Sequence, residues 1–357
     1  MSESFKSKAF GIIACITVAI TSIQLSEYLG IHLLGFEKSP ISPIMIAIIV
    51  GISIANFNSM IINALKPGLD FCIKVLLKIG IILLGIRLSL IDLISYGTKG
   101  LIVVIPCIII TIFLVQVLRK NLKISEKLSL LIAVGTSICG ATAIVALAPS
   151  IKAKKSEITY AIANITIFGL FAMFLYPIFA HFLFSQDIVS AGLFLGSSIH
   201  ETAQVAGSAM IYSDQYEEPN IIAVATVTKL IRNTLMVIVI PYLAHKSMSV
   251  QKKSYKISAI FPYFVIGFIV FGCIRSLGDF YFLDNEIYLA TWKNSIVFIK
   301  KIAEFFLIIA MAAVGFNTSF DNFKELGIKP FYIGLIAATT VGFSSILIIS
   351  IINNISI

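Results

Sequence analysis

Apolar runs of about 20 residues, the length a helix needs to cross the hydrocarbon of a bilayer, follow one another along this chain. Eleven can be drawn: 9–30, 41–63, 71–95, 99–118, 127–149, 157–183, 188–212, 220–244, 257–277, 297–317 and 328–350. No long loop or low-complexity tract separates them. In lipid, main-chain groups must be satisfied internally, so such runs fold as helices. The expectation is an all-α polytopic membrane protein, one transmembrane transporter domain over residues 1–357. Only 13% of residues are charged, about half the share in soluble domains.

The net charge of +9 would suggest nucleic acid in a soluble protein. Here Lys and Arg gather in short loops between apolar runs, the pattern of cytoplasmic loops, so no nucleic-acid partner is expected. The five cysteines, Cys15, Cys72, Cys107, Cys139 and Cys273, are scattered without a CxxC, which argues against a disulfide frame or a metal site. Residues 9–25 follow Lys6 and Lys8 but lack a clear small-x-small cleavage site. They read as an uncleaved first helix with a cytoplasmic N-terminus.

Internal matches suggest a repeat. Gly85-Ile86-Arg87-Leu88-Ser89 recurs 230 residues later as Gly315-Phe316-Asn317-Thr318-Ser319, and Gly97 and Lys99 match Gly327 and Lys329 in the same register. Gly135-Thr136-Ser137-Ile138 recurs 61 residues later as Gly196-Ser197-Ser198-Ile199. Pro177-x-x-Ala180-His181 recurs 64 residues later as Pro241-x-x-Ala244-His245. The repeat-related halves run roughly 41–183 and 188–350, with circularly permuted segment order.

Charge tests the topology. If all eleven segments cross, Lys152, Lys154 and Lys155 fall outside, against the positive-inside rule. If 127–149 and 188–212 enter and return instead, those lysines become cytoplasmic. So do Arg119, Lys120, Lys123, Lys127, Lys246, Lys252, Lys253 and Lys256, while Asp214, Glu217 and Glu218 lie outside. About nine full spans plus two interrupted segments is therefore preferred over eleven spans, and the matched pairs become inverted repeats. The stretches 135–142 and 196–204 are rich in Gly, Ser, Thr and Ala, which permit broken helices and close backbone approach. Paired interrupted segments point to a transporter binding site; ordinary spans with small residues for packing are the plainer alternative.

Few side chains could carry chemistry. Lys229 and Arg232 sit in the middle of 220–244, where a charge costs at least about 2.5–3.5 kcal/mol. Their spacing shares a face that Asn233 extends. They are expected to line a cavity, or to form an ion pair with a buried carboxylate. Glu201 is the obvious carboxylate and a candidate coupling residue, with His200 beside it. Burial and a nearby cation act on its proton in opposite senses. In a continuous helix Ser197, Glu201, Gln204 and Ser208 would share one face. His200-Glu201-Thr202-Ala203-Gln204 lacks the second histidine of HExxH, so a zinc protease is excluded. Asn164 either faces the cavity or bonds a neighbouring helix. Arg87 reads as an anchor near the membrane edge. Ser137, Gly140, Thr142 and Ser198 complete the candidate substrate site. Cations in excess at mid-membrane, together with helix N-termini at the interruptions, favour a small anion.

Gly135-Thr136-Ser137-Ile138-Cys139-Gly140-Ala141, then Gly196-Ser197-Ser198-Ile199-His200-Glu201-Thr202-Ala203-Gln204-Val205, then Lys229-Leu230-Ile231-Arg232 resemble the YeiH family of bacterial inner-membrane proteins, also labelled sulfate exporters. The resemblance covers roughly residues 10–350, and its first two motifs are fairly specific. Thr136 stands where Ser would also be expected. The family is grouped with cation/proton antiporters and anion transporters. That implies inverted repeats with interrupted helices, and a bacterial inner-membrane location. Sulfate, a sulfonate or a small carboxylate is the expected class of solute, with coupling to H⁺ or Na⁺ open. A cation/proton antiporter is the alternative, and a membrane enzyme or sensor a third. No cofactor-binding motif is present, and no enzymatic activity is expected. An outer apolar face would meet lipid or a second copy in a homodimer.

Overall fold

The computed structural model describes residues 3–35, 39, 41–57, 59–184, 186–247, 262–282, 286–318 and 328–355. Lys252, Lys253, Lys256, Ser319 and Gly327 lie outside the described residues, among which every regular element is helical. In order these are α1 (Glu3–Glu27) with a π turn Tyr28–Leu33, α2 (Pro43–Phe57), α3 (Ser59–Phe71) with a π turn Cys72–Leu76, α4 (Leu77–Leu84) with a 3-10 turn Gly85–Arg87, and α5 (Leu90–Leu122). Next come α6 (Glu126–Ser137), α7 (Ala141–Leu147), α8 (Lys155–Phe184), α9 (Ile188–Ser198), α10 (Thr202–Tyr216), α11 (Asn220–Thr234) and α12 (Met236–Ser247). The last are α13 (Phe264–Tyr281), α14 (Glu286–Phe316) and α15 (Ile328–Ile355).

Six helical stretches among the described residues are long and apolar enough to cross a membrane: Lys6–Leu33, Leu90–Leu122, Lys155–Phe184, Asn220–His245, Phe264–Tyr281 and Lys329–Asn354. The protein is an all-α, multi-pass membrane protein. Two boundaries differ from the sequence reading. Helix continues through Lys66-Pro67-Gly68, where α3 packs on α1. It also continues through 96–98, the gap between the runs drawn at 71–95 and 99–118. There α5 begins at a reciprocal cap. The Ser89 amide donates to Asp92 Oδ2 (3.1 Å), and the Asp92 amide donates to Ser89 Oγ (3.2 Å). Such a capping box fixes a helix start, so the chain breaks at 88–89 rather than beyond 95.

The chain forms two compact units. Each takes residues from both halves of the sequence. One comprises Met1–Ile94, Ala206–Ala223 and Tyr263–Phe320. In it α14 lies against α2 and α4. The α2–α14 contact is backbone on backbone: a Cβ on Gly51 would stand 2.7 Å from the Ala312 carbonyl oxygen and 2.9 Å from the Gly315 Cα. Arg87 pairs with Glu304 and reaches the Pro219 carbonyl at 3.4 Å, tying the end of the α3–α4 run to α14.

The other unit comprises Ser95–Val205, Val224–Pro262 and Asp321–Ile357. Here α6 packs on α8 and α15, and α9 packs on the same two helices. Leu131, Ile132, Ile144, Leu147, Ile165 and Ile333 share its apolar core. The segment 126–147 would be about 30 Å long if it crossed straight. Instead its ends meet. Lys127 Nζ donates to the Lys152 carbonyl at 2.8 Å, and Ser125 Oγ to Glu157 Oε1 at 2.6 Å. The α6–α7 segment therefore leaves and returns at one end of the unit.

Candidate functional site

Both small-residue stretches are broken where Gly, Ser and Thr gather. α6 stops at Ser137, residues 138–140 are non-helical, and α7 begins at Ala141. Gly140 turns the chain at φ +68°, and a Cβ there would collide with the Glu201 side chain. α9 stops at Ser198, and α10 begins at Thr202 after an extended Ile199. The face Ser197–Glu201–Gln204–Ser208 expected of a continuous helix is therefore not formed. Ser197 belongs to α9, while Gln204 and Ser208 belong to α10.

α9 reaches the cations of α11 by close packing. A Cβ on Gly192 would meet Val224, and one on Gly196 would meet the Ala225 carbonyl oxygen and Thr228. Contacts that advance together along both helices mean that α9 runs parallel to residues 224–234 of α11. Lys229 and Arg232 are thereby carried to the end of α9.

The last carbonyls of a helix have no partner within it, and lipid offers none. Two interrupted helices double this cost, and two buried cations meet it. Lys229 and Arg232 are 0% and 1% exposed. Lys229 Nζ donates to the carbonyls of Ile138 (2.9 Å), Ile199 (3.0 Å) and His200. Arg232 donates through Nε to Ser137 (2.6 Å), through Nη1 to Ser197 (2.7 Å) and Ile199 (2.8 Å), and through Nη2 to Thr136. Each cation bonds both interruptions. All three ammonium protons of Lys229 have acceptors. Charge-assisted bonds of this kind are about twice as strong as neutral ones, and positive charge at a helix C-terminus is favourable. Neither cation forms a salt bridge with a carboxylate among the described residues.

The other candidate residues divide by how their polar atoms are used. Glu201 is half-buried, and its Oε1 accepts from the Ala141 amide across the two breaks at 3.4 Å. Its own amide donates to Gln204 Oε1 at 3.2 Å, while Gln204 Nε2 reaches the Thr166 carbonyl at 3.4 Å. Asn233 Nδ2 donates to Thr202 Oγ1 at 3.0 Å, leaving its buried Oδ1 unpartnered. Ser137 Oγ is also buried and unpartnered. His200 is fully buried beside the Ser198 backbone, without a well-formed hydrogen bond at either ring nitrogen. Ser198 Oγ is spent on the Phe194 carbonyl of its own helix (2.5 Å). Thr142 is exposed at the start of α7. Asn164 stands apart: its Nδ2 donates to the Pro330 carbonyl at 3.1 Å, joining α8 to α15.

The structure thus brings Ser137, Gly140, Glu201, Lys229, Arg232 and Asn233 to one crossing and leaves Asn164 out of it. Sequence reasoning missed the groups the cations hold, which are main-chain oxygens of residues 136–138, 197, 199 and 200. It also missed Ala141 and Thr202. The one available signal was Gly140, placed where small residues gather on both sides.

No solved structure matches the chain. It is 32% identical over 333 residues to a UPF0324 membrane protein of Streptococcus agalactiae, covering 92% of this chain and 93% of that one. It is 30% identical over 354 residues to a UPF0324 membrane protein of Fusobacterium nucleatum, covering 96% and 99%. A Bordetella pertussis UPF0324 membrane protein is 28% identical over 340 residues, covering 93% and 91%. The model of the family described as conserved hypothetical protein 698 matches residues 10–334. A match over nearly the whole chain, with relatives similar along their full length, makes this protein a member of that family, the YeiH or UPF0324 membrane proteins.

Proposed function

We propose that this protein is a secondary transporter of a small anion, with its substrate site at the crossing of the two interrupted segments. The observation that carries the reading is that crossing: two helix interruptions lie side by side, held by a buried Lys–Arg pair. Broken helices at membrane depth are costly and occur where they line a site. Chemistry proper to an enzyme is not part of the reading.

In this reading both segments enter and return, giving about nine full spans and two re-entrant ones in a bacterial inner membrane, with the N-terminus cytoplasmic. The meeting of Lys127 with Lys152 supports this for the first segment. For the second, α9 and α11 run parallel with α10 between them. Lys229 and Arg232 act by neutralising carbonyl ends rather than by touching the solute, because all the Lys229 donors and most of the Arg232 donors are engaged there. The solute meets the open side, near Glu201, Asn233, Ser137 and the first turn of α10, whose amides favour an anion. Sulfate, a sulfonate or a small carboxylate fits that chemistry. Glu201 carries the coupling proton in this reading, as the half-buried carboxyl that meets the Ala141 amide at the crossing. The Asn233 Oδ1, without a partner among the described residues on an amide that bonds Thr202, favours a second reading, a cation/proton antiporter.

The test is charge movement in proteoliposomes on solid-supported membranes. Sulfate, taurine, small carboxylates and sodium are compared with and without a pH gradient. A saturable anion-evoked current whose pH dependence disappears in Glu201→Gln supports the proposal. Current evoked by sodium without any anion requirement replaces it with the antiporter reading. Anion current with unchanged pH dependence in Glu201→Gln removes Glu201 as the proton carrier.

A further inference from the structure

The Lys229 contacts have the form of an ion site. One positive centre is held by three carbonyl oxygens, two at 2.9 and 3.0 Å and the third from His200. No carboxylate among the described residues takes part. Main-chain carbonyls gathered around one point are how proteins replace the hydration shell of a monovalent cation. The oxygens come from both interruptions, Ile138 on one and Ile199 and His200 on the other, so whatever cation sits among them ties the two segments together.

We propose that the carbonyls of Ile138, Ile199 and His200 form a monovalent-cation site whose resident cation is the protein's own Lys229 ammonium. The charge balance agrees. Without Lys229, the crossing keeps the cation Arg232 and the carboxylate Glu201, which offset each other; the Ile199 oxygen keeps its bond from Arg232 Nη1, while the buried Ile138 and His200 oxygens lose the Lys229 donor and require a replacement or a cation. A side chain that ends at Cβ vacates the path of the lysine stem, leaving room for a free ion and water beside these oxygens. The spacing is set by an ammonium group, so NH₄⁺ and K⁺ fit with less rearrangement than Na⁺. The native chain needs no dissolved cation at this point. This goes beyond the transport reading and does not depend on it.

The experiment measures thermal unfolding of purified Lys229→Ala and wild type in detergent. Chlorides of ammonium, potassium, sodium and choline are compared at constant ionic strength. The expected result is a saturable rise of the variant's Tm by about 5 °C in NH₄⁺ or K⁺ over choline, as binding to the folded state alone requires. The wild type should show none. A folded variant that responds to no small cation beyond choline, or a wild type that responds as much as the variant, overturns the proposal. If Lys229→Ala is lost in choline, its recovery as folded protein in KCl becomes the readout. Lys229→Ser, whose hydroxyl adds a fourth oxygen, repeats it. Failure of both variants in KCl also overturns the proposal. Because no transport is measured, this outcome and that of the transport assay are independent.

Discussion

Lys127 Nζ donates to the carbonyl of Lys152 at 2.8 Å, although the two stand 25 positions apart in the sequence. This contact supports the proposed reading in which the segment enters and leaves the bilayer on one side. In a background with the five cysteines replaced, Lys127→Cys and Lys152→Cys should therefore react with a membrane-impermeant maleimide from the same side. Labelling from opposite sides would sink the re-entrant reading of 126–147.

Gly140 carries a second prediction. Its φ of +68° is strained for a residue with a Cβ by about 1–3 kcal/mol, and the Glu201 side chain fills the space a methyl group would take. Gly140→Ala should lower the unfolding temperature by several degrees. Trimming the neighbour in Gly140→Ala/Glu201→Ala should restore part of the loss and leave the backbone share. A double variant no more stable than the single one would mean that the collision contributes nothing.

Removing one partner of a buried charged contact costs about 3–5 kcal/mol, and Arg232 serves four carbonyls. Arg232→Ala should be recovered poorly or unfold well below wild type. Arg232→Lys keeps the charge with three compact donors in place of a planar fork and should fall between them. Equal stability of Arg232→Lys and wild type, read by size-exclusion thermostability, would show that charge alone matters.

The serines of the two breaks should differ. Ser198 Oγ is engaged within its own helix at 2.5 Å, whereas Ser137 Oγ and Asn233 Oδ1 are buried without partners among the described residues. If the free Ser137 hydroxyl donates to the solute, Ser137→Ala loses about one hydrogen bond. That raises the transport KM by roughly tenfold, while Ser198→Ala stays near wild type. The opposite ranking would move the solute away from this side of the crossing.

Much of this was legible in the residues. Long apolar runs report membrane helices, small-residue clusters at 135–142 and 196–204 coincide with the breaks, and two mid-span cations coincide with the crossing. What Lys229 and Arg232 bind was not legible, because a backbone carbonyl leaves no mark in a side-chain pattern. An anion or a carboxylate was the natural guess for a deep cation. The start of α5 was misplaced for a different reason. Gly97 falls in the gap drawn at 96–98, yet a Cβ there would meet Ile231 Cδ1 at 3.8 Å and one on Gly100 at 3.1 Å, and that packing outweighs local propensity. The cap Ser89–Asp92 was readable and marks the true boundary.

The contacts made by Lys229 and Arg232 end on oxygens that every amino acid carries. A change of side chain at Thr136, Ile138, Ile199 or His200 leaves those oxygens in the chain, whereas a change at Lys229 or Arg232 removes the donors from both breaks at once. Tolerance to mutation is thus uneven across the crossing: the half that accepts these bonds is free to drift in sequence as long as its turns survive, and the whole genetic liability of the contact falls on two codons.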